Sequence, residues 1–213
     1  ITPKVIDPSF LYVDVTSKVL YNPNVTTKSD SEIETVVSAA INTHATDTIN
    51  DFNAKLRVSK LSAAIDAADA SILNSENSIL LQKKFTPTLN ASGNHSLDFV
   101  NEIYREIPNG SGLFADGSAP VSSSTFVFGG LTGCSLRDNG NGVLQVVQQE
   151  SSVLNIVNNN IGTVDYASGV VTISNFLVSS FTGDAITVSV NPVSKTLKSN
   201  KNIILSYNKT PSI

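Results

Sequence analysis

Residues 51–73 read DFNAKLRVSKLSAAIDAADASIL, and the apolar spacing within this stretch changes from every second residue to every third or fourth. From Phe52 to Val58 apolar residues alternate with polar ones, with Lys55 and Arg57 on the polar side, which predicts a half-buried strand. Ser59 is then placed to cap a helix. The predicted buried stripe of that helix is Leu61, Ala64, Ile65, Ala68 and Ile72.

Two further strands and one helix flank this stretch. Phe10 to Tyr21 is dense in β-branched and aromatic residues and predicts a strand, which Pro23 ends because proline cannot donate a ladder hydrogen bond. Ser31 and Glu34 match a capping box at the start of a helix. Its predicted buried stripe is Ile33, Val36, Val37, Ala40 and Ile41. Ser78 to Thr86, SILLQKKFT, predicts the third strand.

The order of these elements predicts an α+β fold for the first part of the chain. Strand, helix, strand, helix and strand are expected to form a compact β-α-β-α-β module over residues 1–90, with both helices on one face of a small sheet. The apolar stripes of these elements must face one another, so we expect one buried cluster. Its predicted members are Ile33, Val37, Phe52, Leu56, Val58 and Ile65.

The remainder, residues 91–213, is predicted to be an all-β domain, either a sandwich or an open barrel. Helical periodicity stops at the polar stretch LNASGNHS, residues 89–96, and turn residues then recur about every ten positions. The predicted strands are 97–103, 125–129, 143–148, 153–157, 162–166, 170–176, 185–190 and 202–207. Residues 97–107 are compatible with one short helix instead.

Composition argues against two classes of function. Only 15% of the residues are charged, the net charge is −4, and neither sign forms a long run, so there is no electrostatic footprint for nucleic acid. No stretch approaches 18 consecutive apolar residues, so no membrane span is predicted. Much of the polarity comes from Asn, Ser and Thr, which favours a surface that meets other proteins. A β-rich surface without a partner is the alternative.

The side chains that could carry chemistry do not form a recognisable set. His44 and His95 have no neighbours at metal-ligand spacing and are expected to be surface histidines. Cys134 is the only cysteine, lacks a nearby histidine, and is expected to be a small core residue. A single cysteine cannot form an internal disulfide, and a chain without disulfides suits a reducing compartment. The sequence therefore predicts no catalytic residue and no enzyme.

Two acidic turns superficially suggest a calcium site. Asp138 opens the stretch DNGNG and Asp165 precedes YASG, but the twelve-residue EF-hand spacing with its final glutamate is missing. Both stretches are therefore predicted to be structural turns. Gly129 and Gly130 fit no phosphate-binding pattern. No metal, cofactor or cofactor-binding residue is predicted.

The order of the quoted pieces resembles a known family. FLYVDVTSKVLYNPN at 10–24, SDSEIETVVSAAI at 29–41, the stretch at 51–73 and the strand ending QKKF are similar to the α+β module of baseplate J-like wedge proteins. The β-rich part is similar to the C-terminal region of the baseplate wedge protein of T-even-type contractile-tailed bacteriophages. The pieces that carry this second likeness are TFVFGG at 125–130, CSLRDNGNGVLQVV at 134–147 and IGTVDYASGVVTISNF at 161–176.

The resemblance implies a structural component of a phage tail baseplate, made in the host bacterial cytoplasm and carried in the virion. It implies partners too: other copies of the chain, most simply as a homodimer, and other wedge proteins around the tail hub. It brings no catalytic residues. The chain contains no methionine, so we expect it to be the C-terminal part of a longer protein. The alternative is a carbohydrate-binding or adhesive β-module, although the chain has no tryptophan for sugar stacking.

Overall fold

The computed structural model describes residues 9–106, 112–150 and 153–207, and these are mostly β-strand. The described residues divide into two compact units. Unit 1 comprises those within Ile1–Leu80 and Ser194–Ile213, and unit 2 comprises those within Leu81–Val193. The coarse prediction of a chain rich in strands is therefore confirmed.

The sheet of unit 1 is built around its first strand. β1 (Ser9–Tyr21) lies between β3 (Ile72–Phe85) and β14 (Ile203–Tyr207), and β1 and β14 are parallel. The strand predicted from Phe10 to Tyr21 is confirmed, and a short 3-10 helix, Pro23–Val25, follows at the proline. The buried apolar side chains of β1 are Leu11, Val13 and Val15.

Both predicted helices are present, α1 at Asp30–Thr48 and α2 at Val58–Asp66. The predicted N-cap of α1, Ser31, lies two residues after the observed one. Ser29, not Ser31, is the N-cap, and its backbone N–H donates to the Glu32 carboxylate at 2.7 Å. Two overlapping Ser-x-x-Glu matches occur in the sequence, and the earlier one caps the helix.

Helix α2 ends earlier than its predicted stripe. Asp69 accepts hydrogen bonds from the Ser71 backbone N–H at 2.9 Å and hydroxyl at 2.7 Å, which makes a turn just beyond the helix. Ile72, predicted as the last residue of the stripe, is consequently the first residue of β3. At the other end, Arg57 rather than Ser59 is the N-cap.

The predicted β-α-β-α-β module is not confirmed as one small sheet. β2 (Lys55–Arg57) pairs with β13 (Thr196–Lys198) in a separate antiparallel two-stranded sheet. The partner of β2 is distant in sequence, so no local pattern indicated it. Leu56 lies opposite Leu197 in this ladder, and both side chains are fully buried.

One member of the predicted buried cluster is wrong. Ile33, Val37, Leu56, Val58 and Ile65 are all buried, but Phe52 is 42% exposed. Asn53 has a positive φ of 55°, which interrupts the extended backbone. Phe52 therefore lies outside β2, where it makes an isolated bridge to Ile204, and the alternation that placed it inward does not apply.

Unit 2 is an antiparallel open sheet. From the end of β3 its strands follow the order β12, β5, β7, β8, β9, β10 and β4, and β6 pairs with both β7 and β11. The bounds are β4 Gly93–Asp98, β5 Val121–Ser123, β6 Phe126–Phe128, β7 Leu131–Asp138, β8 Val143–Glu150, β9 Val153–Asp165, β10 Val170–Phe176, β11 Val178–Phe181 and β12 Ile186–Val190.

Several predicted strands of this unit are confirmed and others are not. Those at 125–129, 143–148, 170–176 and 185–190 coincide with β6, β8, β10 and β12, and that at 202–207 coincides with β14 of unit 1. Those at 153–157 and 162–166 are two parts of the single strand β9. The predicted strand at 97–103 is wrong, because β4 ends at Asp98 and Val100 takes a positive φ of 62°. The alternative helix is not found in its described part, 97–106.

The compact units differ from the predicted division into 1–90 and 91–213. That division placed the last strands with the β-rich part, whereas the structure pairs β13 and β14 with β2 and β1. Helices are confined to the N-terminal part as predicted, since no helix follows Asp66 in the described residues. No described helix is both long and apolar enough to cross a bilayer.

Candidate interaction surfaces

A groove in unit 1 is formed by the two helices and the short strand β2. Its volume is about 640 Å³. Ala40 and Ala64 contribute apolar surface, while Lys55, Arg57 and Lys60 bring three cations. The remaining lining residues are Thr43, His44, Asp47 and Thr48. This combination of small apolar and cationic side chains suits a binding surface rather than a reaction centre.

His44 lies half-buried in the wall of this groove. Its Nδ1 is 3.1 Å from the Thr48 hydroxyl and 3.4 Å from the Tyr207 hydroxyl, and its Nε2 is buried without a hydrogen-bond partner. Burial lowers the pKa of His44, although the nearby Asp47 opposes that shift. The expected surface histidine is thus a partly buried, neutral side chain at neutral pH.

In unit 2 the two predicted acidic turns meet around Asp138. The Tyr166 hydroxyl donates to Asp138 Oδ2 at 2.5 Å and accepts from the Gly142 backbone N–H at 2.9 Å. The Gly140 backbone N–H donates to Asp138 Oδ1 at 3.1 Å. The Arg105 guanidinium lies 4.5 Å from the centre of the Tyr166 ring. Asp138 therefore joins the 138–142 turn to the turn that begins at Tyr166.

The electrostatics of this cluster fit a structural role. Burial raises the pKa of Asp138, and hydrogen bonds from Tyr166 and Gly140 together with the charge of Arg105 act in the opposite direction. Burial and the hydrogen bond to Asp138 raise the pKa of Tyr166 far above its usual value. The hydroxyl thus stays protonated, as its role as a donor to the carboxylate requires.

We expect Tyr166→Phe to lower the free energy of unfolding by about 1–3 kcal/mol, because the fully buried Asp138 loses a donor. Denaturant titration followed by circular dichroism measures the loss. Tyr104→Phe is the matched control, since Tyr104 is exposed and should change stability little. An equal effect of the two substitutions would show that the Tyr166 hydroxyl is not a structural link.

The other residues singled out in the sequence are dispersed in unit 2. His95, predicted to be a surface histidine, lies half-buried in β4 with its ring 4.6 Å from that of Phe85, and burial lowers its pKa. Cys134 is a buried free thiol in β7 whose pKa is raised by burial. The Asp165 carboxylate accepts from the backbone N–H groups of Ala167 and Ser168, as a turn residue does.

Gly129 and Gly130 both have positive φ in the short connection between β6 and β7. They therefore make a turn that other residues adopt only with strain. Within residues 9–106, 112–150 and 153–207, no three His, Cys, Asp or Glu side chains are grouped so that they could hold a metal ion.

The edge of β9 is a second surface of interest. Residues 162–165 of β9 pair with β10, but no described strand pairs with that edge over 153–160. This segment reads VLNIVNNN and contains neither a charged residue nor a proline, the residues that usually block edge-to-edge association. Val153, Leu154 and Ile156 are exposed on it, Ile156 to 57%.

Sequence reasoning found some of these features and missed others. The alternation in 52–58 correctly placed Lys55 and Arg57 on the polar side of β2. The alternation could not predict that Lys60 and the end of α1 line the same groove, because that depends on how the helices pack. The free edge of β9 carried a signal in its run of eight uncharged residues, but an unpaired edge is visible only once the partners of the strand are known.

Comparison with known proteins finds a match to the first part of the chain. Residues 9–84 match the family described as baseplate structural protein gp6, C-terminal domain III. The matched segment runs from β1 almost to the end of β3. Among curated proteins, the baseplate wedge protein gp6 of Enterobacteria phage T4 is 29% identical over 84 residues. The alignment covers 39% of this chain and 13% of that protein.

These matches confirm the resemblance to the C-terminal part of a baseplate wedge protein, and they do so for residues 9–84. The chain spans only a small part of the relative's length. The likeness expected for the β-rich stretches between Thr125 and Phe176 lies outside the matched residues and stays a prediction.

Proposed function

We propose that this chain is a structural component of a phage tail baseplate and that it works by contact with other proteins. The match of residues 9–84 to a baseplate structural domain carries this proposal. The relative at 29% identity is itself named a baseplate wedge protein. On this proposal the chain resides in the virion and contacts other wedge proteins.

The positions and hydrogen bonds of the reactive side chains agree with a structural rather than an enzymatic role. Asp138 and Tyr166 satisfy each other inside a turn, and Cys134 is buried in a strand. His44 and His95 lie in different units. A catalytic site needs an acid, a base or a nucleophile grouped around one cleft. Asp138, Tyr166 and Cys134 are instead used in hydrogen bonding and packing within unit 2.

We further propose that copies of the chain associate through the free edge of β9, residues 153–160. An antiparallel pairing of two identical edges is two-fold symmetric. Each contact between two residues therefore occurs twice, once in each direction, and the same exposed apolar residues are covered on both copies. The pairing would satisfy the free backbone groups and cover Val153 and Ile156, which are both more than half exposed. A homodimer is the simplest assembly of this kind.

We expect sedimentation of the chain at micromolar concentration to give a mass near twice 22.5 kDa. Ile156→Lys should shift this species towards monomer, because a lysine in the middle of an edge opposes pairing. Val25→Lys is the control, since Val25 is 64% exposed but lies in the 3-10 helix of unit 1. A monomer up to roughly millimolar concentration would reject self-association, because it leaves less than about 4 kcal/mol for the contact.

A further inference from the structure

The groove of unit 1 concentrates positive charge on a chain that is negative overall. Lys55, Arg57 and Lys60 all line it and are exposed, and Asp47 is the acid among its lining residues. The whole chain has 18 acidic and 14 basic residues. The local excess of cations is therefore opposite in sign to the net charge, which favours a negatively charged occupant.

Strand β2 also has backbone N–H groups beside these cations that do not face β13. The Val58 N–H donates to Lys195 O at 3.0 Å, and the Ser199 N–H donates to Ala54 O at 3.0 Å. In an antiparallel ladder only alternate residues point their N–H and C=O groups at the partner strand. Lys55 and Arg57 fall between the bonded positions, so their N–H groups point away from β13. No described strand pairs with that edge.

Lys55 and Arg57, whose backbone N–H groups point away from β13, also line the groove with their charged side chains. An extended peptide that adds to this edge gains main-chain hydrogen bonds, and its alternate side chains lie on one face. On the face shared with Lys55 and Arg57, acidic side chains at every second position would each meet a cation. The volume of about 640 Å³ is within the range of peptide and ligand sites.

We propose that this groove binds an extended acidic segment of a partner protein, which adds a strand to the free edge of β2. Its carboxylates pair with Lys55, Arg57 and Lys60. Residues 208–213 of the chain itself read NKTPSI and contain no acid, so charge disfavours them as the occupant. The proposal goes beyond the proposed baseplate function, because it specifies the chemistry of a partner and does not require self-association through β9.

The first test uses a fluorescent peptide of sequence Thr-Glu-Val-Glu-Thr-Glu and the full chain. Fluorescence anisotropy should show binding that weakens with salt, whereas the peptide with Gln in place of Glu should bind at least about tenfold more weakly. The triple variant Lys55→Gln, Arg57→Gln, Lys60→Gln should show a similar loss. The matched control Lys18→Gln, Lys195→Gln, Lys201→Gln removes three exposed cations outside the groove and should retain the affinity.

The second test separates strand addition from simple charge attraction. Lys55→Pro removes an N–H that faces away from β13, a position where an edge strand tolerates proline, so thermal stability should match that of Lys55→Gln. Peptide affinity should nevertheless fall below that of Lys55→Gln. Equal affinities of these two variants would overturn strand addition.

Other outcomes would overturn the proposal as a whole. Equal binding of the Glu and Gln peptides, or undiminished binding by the triple groove variant, would exclude an acidic occupant of this site. A DNA duplex that binds the groove as tightly as the peptide would indicate a general polyanion surface instead. If the unmodified chain bound no peptide and the triple variant lost self-association, the occupant of the groove would be a second copy of the chain. Failure of the Ile156→Lys test, in contrast, bears only on the proposed self-association.

Discussion

Replacing Phe176 with alanine is expected to lower the free energy of unfolding by about 3–5 kcal/mol, the largest loss we predict for a single residue. Phe176 ends β10 and is fully buried in unit 2. Its ring centre lies 5.1 Å from that of Phe126 and 5.9 Å from that of Phe85. Removal of the ring leaves these neighbours facing a cavity, which rigid strands cannot collapse to fill.

Leu177→Ala is the natural control for this experiment, because Leu177 is the next residue and is 45% exposed. Chemical denaturation followed by circular dichroism should separate the two variants clearly. A loss at Phe176 of the size seen at Leu177 would mean that the aromatic cluster of Phe85, Phe126, Phe128 and Phe176 does not hold unit 2 together.

Leu56→Ala is expected to cost about 2–5 kcal/mol and to act on unit 1. Leu56 has no exposed surface and lies opposite the equally buried Leu197, so its truncation opens a cavity beside the Leu197 side chain. Among the described strands β2 pairs with β13 alone, so the loss of Leu56 also weakens the pairing that holds β13 in place. The free energy of unfolding from denaturant titration gives the cost.

Phe52→Ala is the informative comparison for Leu56→Ala. A strand running unbroken from Phe52 to Val58 would bury both side chains, whereas the structure leaves Phe52 at 42% exposure. Phe52→Ala should therefore cost much less than Leu56→Ala. An equal loss of stability in the two variants would contradict the interruption of the strand at Asn53.

The sequence predicted the elements of unit 1 better than their partners. Capping and apolar spacing found α1, α2 and β1, because these signals lie within a few residues of one another. The break at Asn53 was missed, since a positive φ leaves the apolar alternation intact. The pairing of β2 with β13 was missed for another reason: the two strands lie more than a hundred residues apart, and nothing local specifies such a contact.

The interaction surfaces were less accessible to sequence reasoning than the fold. The residues predicted to lack catalytic partners, such as His44 and Cys134, could be judged one at a time from their neighbours in the chain. The groove could not, because Lys55 and Lys60 become neighbours of Asp47 only through the packing of α1 against α2. A free strand edge is likewise a property of the whole sheet, not of the strand that carries it.

The parallel pairing of β1 with β14 also constrains the order of events during synthesis. Ser9 is in register with Ile203, so this ladder closes a loop of nearly the whole chain. During synthesis β1 leaves the ribosome first, and all of unit 2 is synthesised before β14 emerges. Until then the edge of β1 that pairs with β14 is uncovered. Closing so long a loop is entropically costly, although the cost grows only logarithmically with length. The uncovered edge of β1 is therefore one place where a nascent chain can pair with the wrong partner.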